Sequence, residues 1–357
     1  MTSLNSELLS FMALSDVDEA IFNGMALRLF AHQFENNLPF QKFCQQRGKT
    51  LRNIKSWRDI PAVPINGFKD LTLSCVAPER CERIFMTSGT TRGEVKGRHY
   101  HPNLEVYDAS MRRNFAQSFM QGTEHLRMGV LFPTPLAMPN SSLAHYLDLA
   151  LRHFGTPESE NFMGEQGVDV PRLMAVLQAC EQSGEPIALL GASFSFVQVM
   201  DALAERGVRF SLPKGSRLLD TGGFKGQSRE LALEDFYAQL GHAFGVNAQQ
   251  CINMYGMTEL STQFYDQGNA QLPSVKRGPH WIRSRVIEPM SGLEMAAGER
   301  GILVHCDLAN YNAVTTILTE DVGVMQDDGF LLLGRAQGAQ AKGCSLAVEE
   351  FLKAASA

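Results

Sequence analysis

Hydroxyl-bearing residues, glycines and a lysine crowd the eleven positions Thr87-Ser88-Gly89-Thr90-Thr91-Arg92-Gly93-Glu94-Val95-Lys96-Gly97. Backbone amides, hydroxyls and one ammonium in such a run can wrap a polyphosphate, because glycine permits close approach and positive φ. It is not the phosphate loop G-x-x-x-x-G-K-[ST], since Lys96 is not followed by Ser or Thr, and a surface turn is the alternative reading. A second segment, Asn253-Met254-Tyr255-Gly256-Met257-Thr258-Glu259, follows the apolar run QQCIN. Tyr255 offers a flat face for a purine, Gly256 lets the chain turn, Thr258 can bond a phosphate and Glu259 is a hard oxygen ligand suited to magnesium. A capped loop with an exposed glutamate competes with that reading. The third segment is Thr319-Glu320-Asp321-Val322-Gly323 with Gly334-Arg335 beyond it. A carboxylate there can accept both hydroxyls of a ribose and an arginine can supplement it, whereas the alternative is an Asp-Gly turn between two strands.

Positioning such groups requires elements whose ends converge. From Arg127 onward, short apolar runs alternate with helical patterns: MGVLF, a helix over Ser142 to Phe154, PIALLGAS, a helix over Phe196 to Glu205, SRLLDTGG, a helix over Glu230 to Phe244, and QQCINMYG. This order predicts an α/β fold of largely parallel sheets flanked by helices, with ligands at the carboxyl ends of strands. After Gly278 the runs SRVIEP, GILVHCD, TTILTEDVG and FLLLGR predict a smaller β-rich subdomain. Before the core, Asp16 to Gln46 is expected to be helical, with Ile21, Met25, Leu29 and Phe30 on a packing stripe. The prolines of Asp59 to Pro64 demand an extended connector. The expected organisation is a helical preface over 1–60, an α/β core over 61–278, a β-rich subdomain over 279–335 and a short tail over 336–357.

Composition narrows the class. The chain has 357 residues, 44% apolar and 20% charged, in the range of folded globular proteins. A formal charge of -6 and a pI near 5.9 give no general attraction for nucleic acid or an anionic membrane, so any phosphate site must be local. The amino terminus lacks a basic, then apolar, export pattern, and no run of about 18 apolar residues occurs. Seven scattered cysteines without C-x-x-C spacing point to free thiols in a reducing cytoplasm.

In order and spacing the three segments resemble those of the adenylate-forming superfamily. From about Ile60 to Leu352 the chain resembles the bacterial LuxE-type acyl-protein synthetases and, more distantly, the phenylacetate-CoA ligases. The resemblance is carried by the Ile60-Pro61 to Pro64 stretch with Phe68-Lys69, the threonine-glycine loop, Leu219-Asp220-Thr221-Gly222-Gly223-Phe224-Lys225, Tyr255 to Glu259, Asp321 and Gly334-Arg335. It implies activation of a carboxylic acid by ATP and Mg2+ as an acyl-adenylate, with release of pyrophosphate, on an adenylate-forming amino-terminal-domain fold. By position, Thr87, Ser88, Gly89, Thr90, Thr91, Gly93 and Lys96 would hold the β- and γ-phosphates. Gly222 and Gly223 would line the adenine or acyl pocket, and Tyr255, ahead of the Gly256 turn, would stack on adenine. Thr258 would touch the α-phosphate, Glu259 would bind magnesium, and Asp321 with Arg335 would grip the ribose. His145 would sit beside the substrate carboxylate, a buried structural histidine being the alternative. The apolar stretch Leu189 to Phe196, with Gly191, would suit a fatty or aromatic acid but equally makes ordinary core.

Two departures stand out against the resemblance. Arg92 is inserted before Gly93, and Val95 replaces a usual proline. The mobile carboxyl-terminal domain of about a hundred residues is reduced to residues 336–357, so a minimal lid with Lys342 takes over or a partner chain contributes. Ala341-Lys342-Gly343-Cys344-Ser345-Leu346 is similar to the LuxE-type segment whose cysteine receives the acyl group before handing it to a reductase. Cys344 beside Lys342, in a mobile stretch, is thus a candidate acyl carrier. The other acceptors are CoA, an acyl-carrier protein or a small molecule, with an acyltransferase as a further partner, and a non-catalytic subunit binding nucleotide or acyl chains is the reading from another class.

Overall fold

A computed structural model describes residues 3–88, 95–224 and 228–356, the side chains of Ala339, Lys342 and Ser356 excepted. Gly89, Thr90, Thr91 and Gly93, and the side chain of Lys342, therefore lie outside the described residues. The chain packs as two compact units, one of Met1–Met111, Met257–Gln263 and Arg277–Ala357, the other of Arg112–Gly256 and Phe264–Lys276.

In the second unit the apolar runs become one sheet. From one edge its strands are Phe264–Tyr265, Cys251–Tyr255, Arg217–Thr221, Ile187–Ala192, Arg127–Leu131 and Glu160–Asn161. Five run parallel, and only Phe264–Tyr265 is antiparallel to its neighbour. Ile187–Ala192 is buried at every residue, the signature of a strand covered on both faces. The helices Ser142–Phe154, Ser193–Glu205 and Leu233–Phe244 fall where the periodicity predicts or within a few residues of it, and Val170–Ser183 is a further helix not among those predicted. Ser141 caps the first by accepting the Ala144 amide, and Gly184 and Gly245 end two others at positive φ, which their lack of a Cβ allows. Leu131, Leu177, Leu189, Phe196, Leu218, Phe236 and Phe244 belong to its core.

The first unit departs from the expectation of largely parallel sheets, its main sheet being mostly antiparallel in the region expected to be a smaller β-rich subdomain. Ile282–Ile287, Arg300–Asp307, Thr316–Gln326 and Gly329–Arg335 are antiparallel in sequence order, since two- to twelve-residue connections rich in Gly, Asn and Asp make hairpins and hold no crossover helices. Val63–Pro64, in the proline-rich connector, pairs parallel with Ile317 and Leu318. The preface forms three helices, Leu4–Met12, Glu19–Asn36 and Leu38–Gln46. Their packing stripe also differs from expectation: Ile21 is exposed, and Phe22, Ala26, Leu29, Phe30 and Gln33 are buried. Asp18 caps this helix by accepting the Ile21 amide, and the large aromatic Phe22 takes the inward position beside Ile21.

Residues 336–357, expected as a mobile tail, contain the 19-residue helix Gly338–Ser356. Phe351 anchors it: the ring is fully buried, 4.7 Å edge-on from Phe43, and a Cβ on Gly67 would come within 2.5 Å of it. Arg47 pairs with Glu350 at 2.6 Å beside it. Phe351→Ala is expected to cost about 3–5 kcal/mol in denaturant unfolding, the usual penalty for emptying a buried aromatic site. No helix among the described residues is long and apolar enough to cross a membrane.

Candidate functional site

The two described ends of the threonine-glycine run are held together by the strands that flank it. Arg83–Met86 pairs antiparallel with Arg98–His101, and the loop is closed at its neck by Thr87 and Gly97. The Thr87 amide donates to the Gly97 carbonyl at 3.0 Å, and the Gly97 amide donates to Thr87 Oγ1 at 2.9 Å. Ser88, Val95 and Lys96 are exposed just beyond this clasp.

Gly97 is where the first segment meets the second. A Cβ there would lie 3.1 Å from Thr87 Cγ2 and 3.2 Å from Glu259 Oε1, so the loop neck rests against the Glu259 carboxylate. Gly97→Ala adds a methyl to this closed space, where overpacking costs about 1–3 kcal/mol. The expected outcome is a lower melting temperature together with at least a tenfold loss in acid-dependent pyrophosphate release, because Glu259 and the neck are forced apart.

Contrary to the alternative of an exposed glutamate, Glu259 is 6% exposed. Its backbone is pinned on both sides. His99, in the hairpin strand leaving the loop, sits 2.9 Å from the Thr258 carbonyl through Nδ1. A carbonyl only accepts, so Nδ1 carries the proton, and burial pushes the imidazole down to about 4, keeping it neutral. Asn310 Nδ2 donates to the Glu259 carbonyl at 2.7 Å, and Asp307 accepts the Ser261 and Thr262 amides at 2.9 Å each. The preface helix braces this support: Gln33 Nε2 donates to the Asn310 carbonyl at 2.8 Å while Gln33 Oε1 accepts the Thr315 amide. His99, Asp307, Asn310 and Gln33 were not singled out in the sequence. They act through pairings 45 to 282 positions apart, and no local pattern marks such residues.

The third segment faces the same carboxylate. Asp321 and Arg335 are opposite one another on adjacent strands, with Nε 3.2 Å from Oδ1, and Arg335 also reaches Glu320 at 2.9 Å. Burial pushes the Glu259 carboxyl up to about 7, a shift that Arg335 and Lys69 oppose and Asp321 reinforces. Thus the loop neck packs against the desolvated Glu259 carboxylate, and Arg335, Lys69 and Asp321 lie within electrostatic reach of it.

Gly222, Gly223, Tyr255, Gly256, His145 and Gly191 lie in the other unit. Gly222, at φ 74°, and Gly223 follow the strand Arg217–Thr221, and a Cβ on either would meet nothing within 4 Å, so the turn faces open space. Tyr255 ends the adjacent strand, is 8% exposed and packs against Phe264 at 5.9 Å; Gly256 beyond it is exposed. His145 is buried in the first turns of its helix. At Gly191 a Cβ would come within 2.9 Å of Leu131, and Leu189, Leu190 and Phe196 are fully buried. Close strand packing accounts for that glycine, which favours the core reading over a pocket wall.

Cys344 differs most from expectation. It is 5% exposed in the carboxyl-terminal helix, packs with Ile302, Leu318 and Val322, and directs Sγ to the Thr319 carbonyl at 3.9 Å. Burial, aided by Glu320, pushes the thiol up to about 11, opposite to the activated thiolate that a neighbouring lysine would give.

A family model described as acyl-protein synthetase, LuxE, matches residues 6–353. A long-chain-fatty-acid–luciferin-component ligase of Vibrio harveyi is 21% identical over 91% of this chain and 86% of its own length. One of Aliivibrio fischeri is 22% identical over 84% and 77%. Among solved structures, a 2-hydroxyisobutyryl-CoA ligase in an open conformation with 2-HIB-AMP and CoA superposes with a TM-score of 0.66 at 12% identity, over 89% of this chain and 69% of that one. ATP-bound MatB from Rhodopseudomonas palustris gives 0.52 at 15% identity, over 73% of this chain and 49% of that one.

Proposed function

Because the chain belongs to the LuxE family of acyl-protein synthetases, we propose that it activates a fatty or aromatic carboxylic acid with ATP and passes the acyl group to a thiol. The observation that carries this reading is the packing of the loop neck at Gly97 against Glu259, beside Lys69, Asp321 and Arg335. In the first step a substrate carboxylate oxygen bonds to the α-phosphorus, the α–β bridging bond breaks and pyrophosphate leaves with the electron pair. Two anions must approach, so the barrier falls when positive charge and hydrogen-bond donors are already in place.

The chain's own residues supply that preorganisation. Thr87, Ser88 and Lys96, with Gly89, Thr90, Thr91 and Gly93, enclose the β- and γ-phosphates; Thr258 donates to the α-phosphate; Asp321 accepts the ribose hydroxyls, oriented by Arg335. Tyr255 stacks on adenine above the Gly222-Gly223 turn, and His145 meets the acid. Glu259 fits Mg2+, which is commonly held by one or two carboxylates together with substrate phosphates: its backbone carbonyl is held by Asn310, its carboxylate is desolvated, and it lies against the neck of the proposed phosphate loop. There Mg2+ would neutralise developing charge on the phosphates.

In the second step a thiol sulfur bonds to the acyl carbon, AMP departs and the thiol proton passes to solvent. Cys344 is the acceptor in the reading that serves an acyl reductase or acyltransferase partner. Its burial and raised pKa favour a second reading, direct transfer to CoA or an acyl-carrier protein. Incubation with ATP, Mg2+ and a panel of acids, followed by mass spectrometry, separates them: an acyl adduct on Cys344 supports the first, free acyl-CoA the second. No pyrophosphate with any acid would contradict both and leave a non-catalytic subunit.

A further inference from the structure

Beneath the Gly222 turn lies a buried charged cluster that none of the steps above employs. Asp220, 3% exposed, is the next-to-last residue of the central parallel strand Arg217–Thr221. Its Oδ2 accepts from Ser193 Oγ at 2.9 Å and from Asn253 Nδ2 at 2.8 Å, and its Oδ1 accepts from the Tyr237 hydroxyl at 3.1 Å. Asn253 Oδ1 in turn accepts from Lys276 Nζ at 2.6 Å, and Lys276 pairs with Asp266 at 2.6 Å. Both members of that ion pair are buried.

Three features tie the cluster to the strand ends rather than to general stability. Ser193 Oγ lies within 3.2 Å of the Thr221 carbonyl and 3.4 Å of the Gly222 carbonyl, so it touches the turn itself. Asn253 stands two residues before Tyr255 on the same strand, hence on the same face. Its amide cannot flip, because the flipped form would set a donor against an ammonium and an acceptor against a carboxylate. Thr221 Oγ1 also donates to the Met254 carbonyl at 2.8 Å, tying the two strand ends together. A buried network of this kind is costly where apolar residues would pack, and its benefit is a unique arrangement. It sits at the carboxyl ends of parallel strands, where such sheets bind ligands.

We propose that Asp220, Ser193, Asn253 and Lys276 form a positioning network that fixes the Gly222 turn relative to Tyr255 and thereby sets affinity for the adenosine half of ATP. The inference rests on the assignment of Gly222, Gly223 and Tyr255 to the adenine pocket. Burial pushes the Asp220 carboxyl up to about 6, against hydrogen bonds from Asn253 and Ser193 and the charge of Lys276, so the test belongs at pH 8, where it is ionised.

Calorimetric titration of the full chain with ATP and Mg2+, beside KM for ATP and for the acid, decides the matter. D220N, which sets an amide against two donors, is expected to weaken ATP binding roughly tenfold or more while KM for the acid stays within about twofold. The exchanged pair D220N/N253D returns a carboxylate to the reach of Lys276 and reverses the bond between 220 and 253. Ser193 can then donate to Thr221 or Gly222, and affinity should return to within about threefold of the unsubstituted protein. S193A keeps the cluster's charges and should weaken ATP binding about threefold to tenfold, which decides the question if D220N fails to fold. Unchanged ATP affinity in D220N or in S193A, equal loss of ATP and acid affinity, or an exchanged pair no better than D220N would overturn the network. Absence of ATP binding by the unsubstituted protein would instead overturn the nucleotide-site reading, and the network with it.

Discussion

Glu259→Gln is expected to abolish acid-dependent pyrophosphate release while making the ligand-free protein more stable. The two effects share one cause. Burial holds the Glu259 carboxyl at about 7 rather than its ordinary 4.5, so in the folded protein the charged form is strained by desolvation. The sign follows from linkage: a raised carboxyl costs nothing below about 4.5, and the penalty grows as pH rises to about 7 and is complete above it. A neutral amide of the same shape removes the penalty. At pH 8 the variant should therefore gain about 2–3 kcal/mol in denaturant unfolding, and the gain should shrink towards zero as pH falls to 4.5. Activity should fall by at least a thousandfold, the scale on which loss of electrostatic preorganisation acts. A stabilised but inactive variant would mark Glu259 as a residue kept for chemistry at the expense of the fold. Lower stability at pH 8 would mean that the carboxylate is a structural partner.

Cys344→Ser should leave pyrophosphate release unchanged and remove any acyl adduct completely. Ser conserves the side chain's size, and the loop neck, Glu259 and Asp321 do not depend on the sulfur. The thiol also makes a prediction about timing. With its pKa pushed to about 11, only about one molecule in ten thousand carries a thiolate at pH 7, and Sγ is packed among Ile302, Leu318 and Val322. Alkylation of Cys344 by iodoacetamide in the resting protein should thus be at least a hundredfold slower than that of an ordinary exposed cysteine. Phe351→Ala, which loosens the helix carrying Cys344, should accelerate it. Equal loss of pyrophosphate release and adduct in Cys344→Ser would contradict the division between activation and transfer.

The elements that position the nucleotide residues were legible wherever periodicity was local. Ser142–Phe154 matches to the residue, and each predicted apolar run is a strand, because burial on two faces leaves an unbroken apolar signature. Phase and partnership were less visible. The preface stripe holds at Leu29 and Phe30 but differs at its start, where Phe22 and Ala26 are buried rather than Ile21 and Met25, in a helix whose both faces carry apolar side chains. The parallel pattern did not extend past Gly278, where alternating runs without intervening helices form hairpins. At the candidate site, Glu259 and Asp321 stood out by type, but the groups that hold them, His99, Asn310 and Gln33, are distant in sequence and chemically ordinary. The helical environment of Cys344 was the largest departure: Gly343 suggested mobility, yet a Cβ there would strike Pro289 at 2.8 Å, so the glycine serves close packing.

Isotope exchange between pyrophosphate and ATP, run with a series of fatty and aromatic acids, tests most directly whether one carboxylate-centred cluster activates an acid. Exchange that requires both acid and Mg2+, persists in Cys344→Ser and vanishes in Glu259→Gln is the predicted result. Exchange undiminished in Glu259→Gln would contradict it.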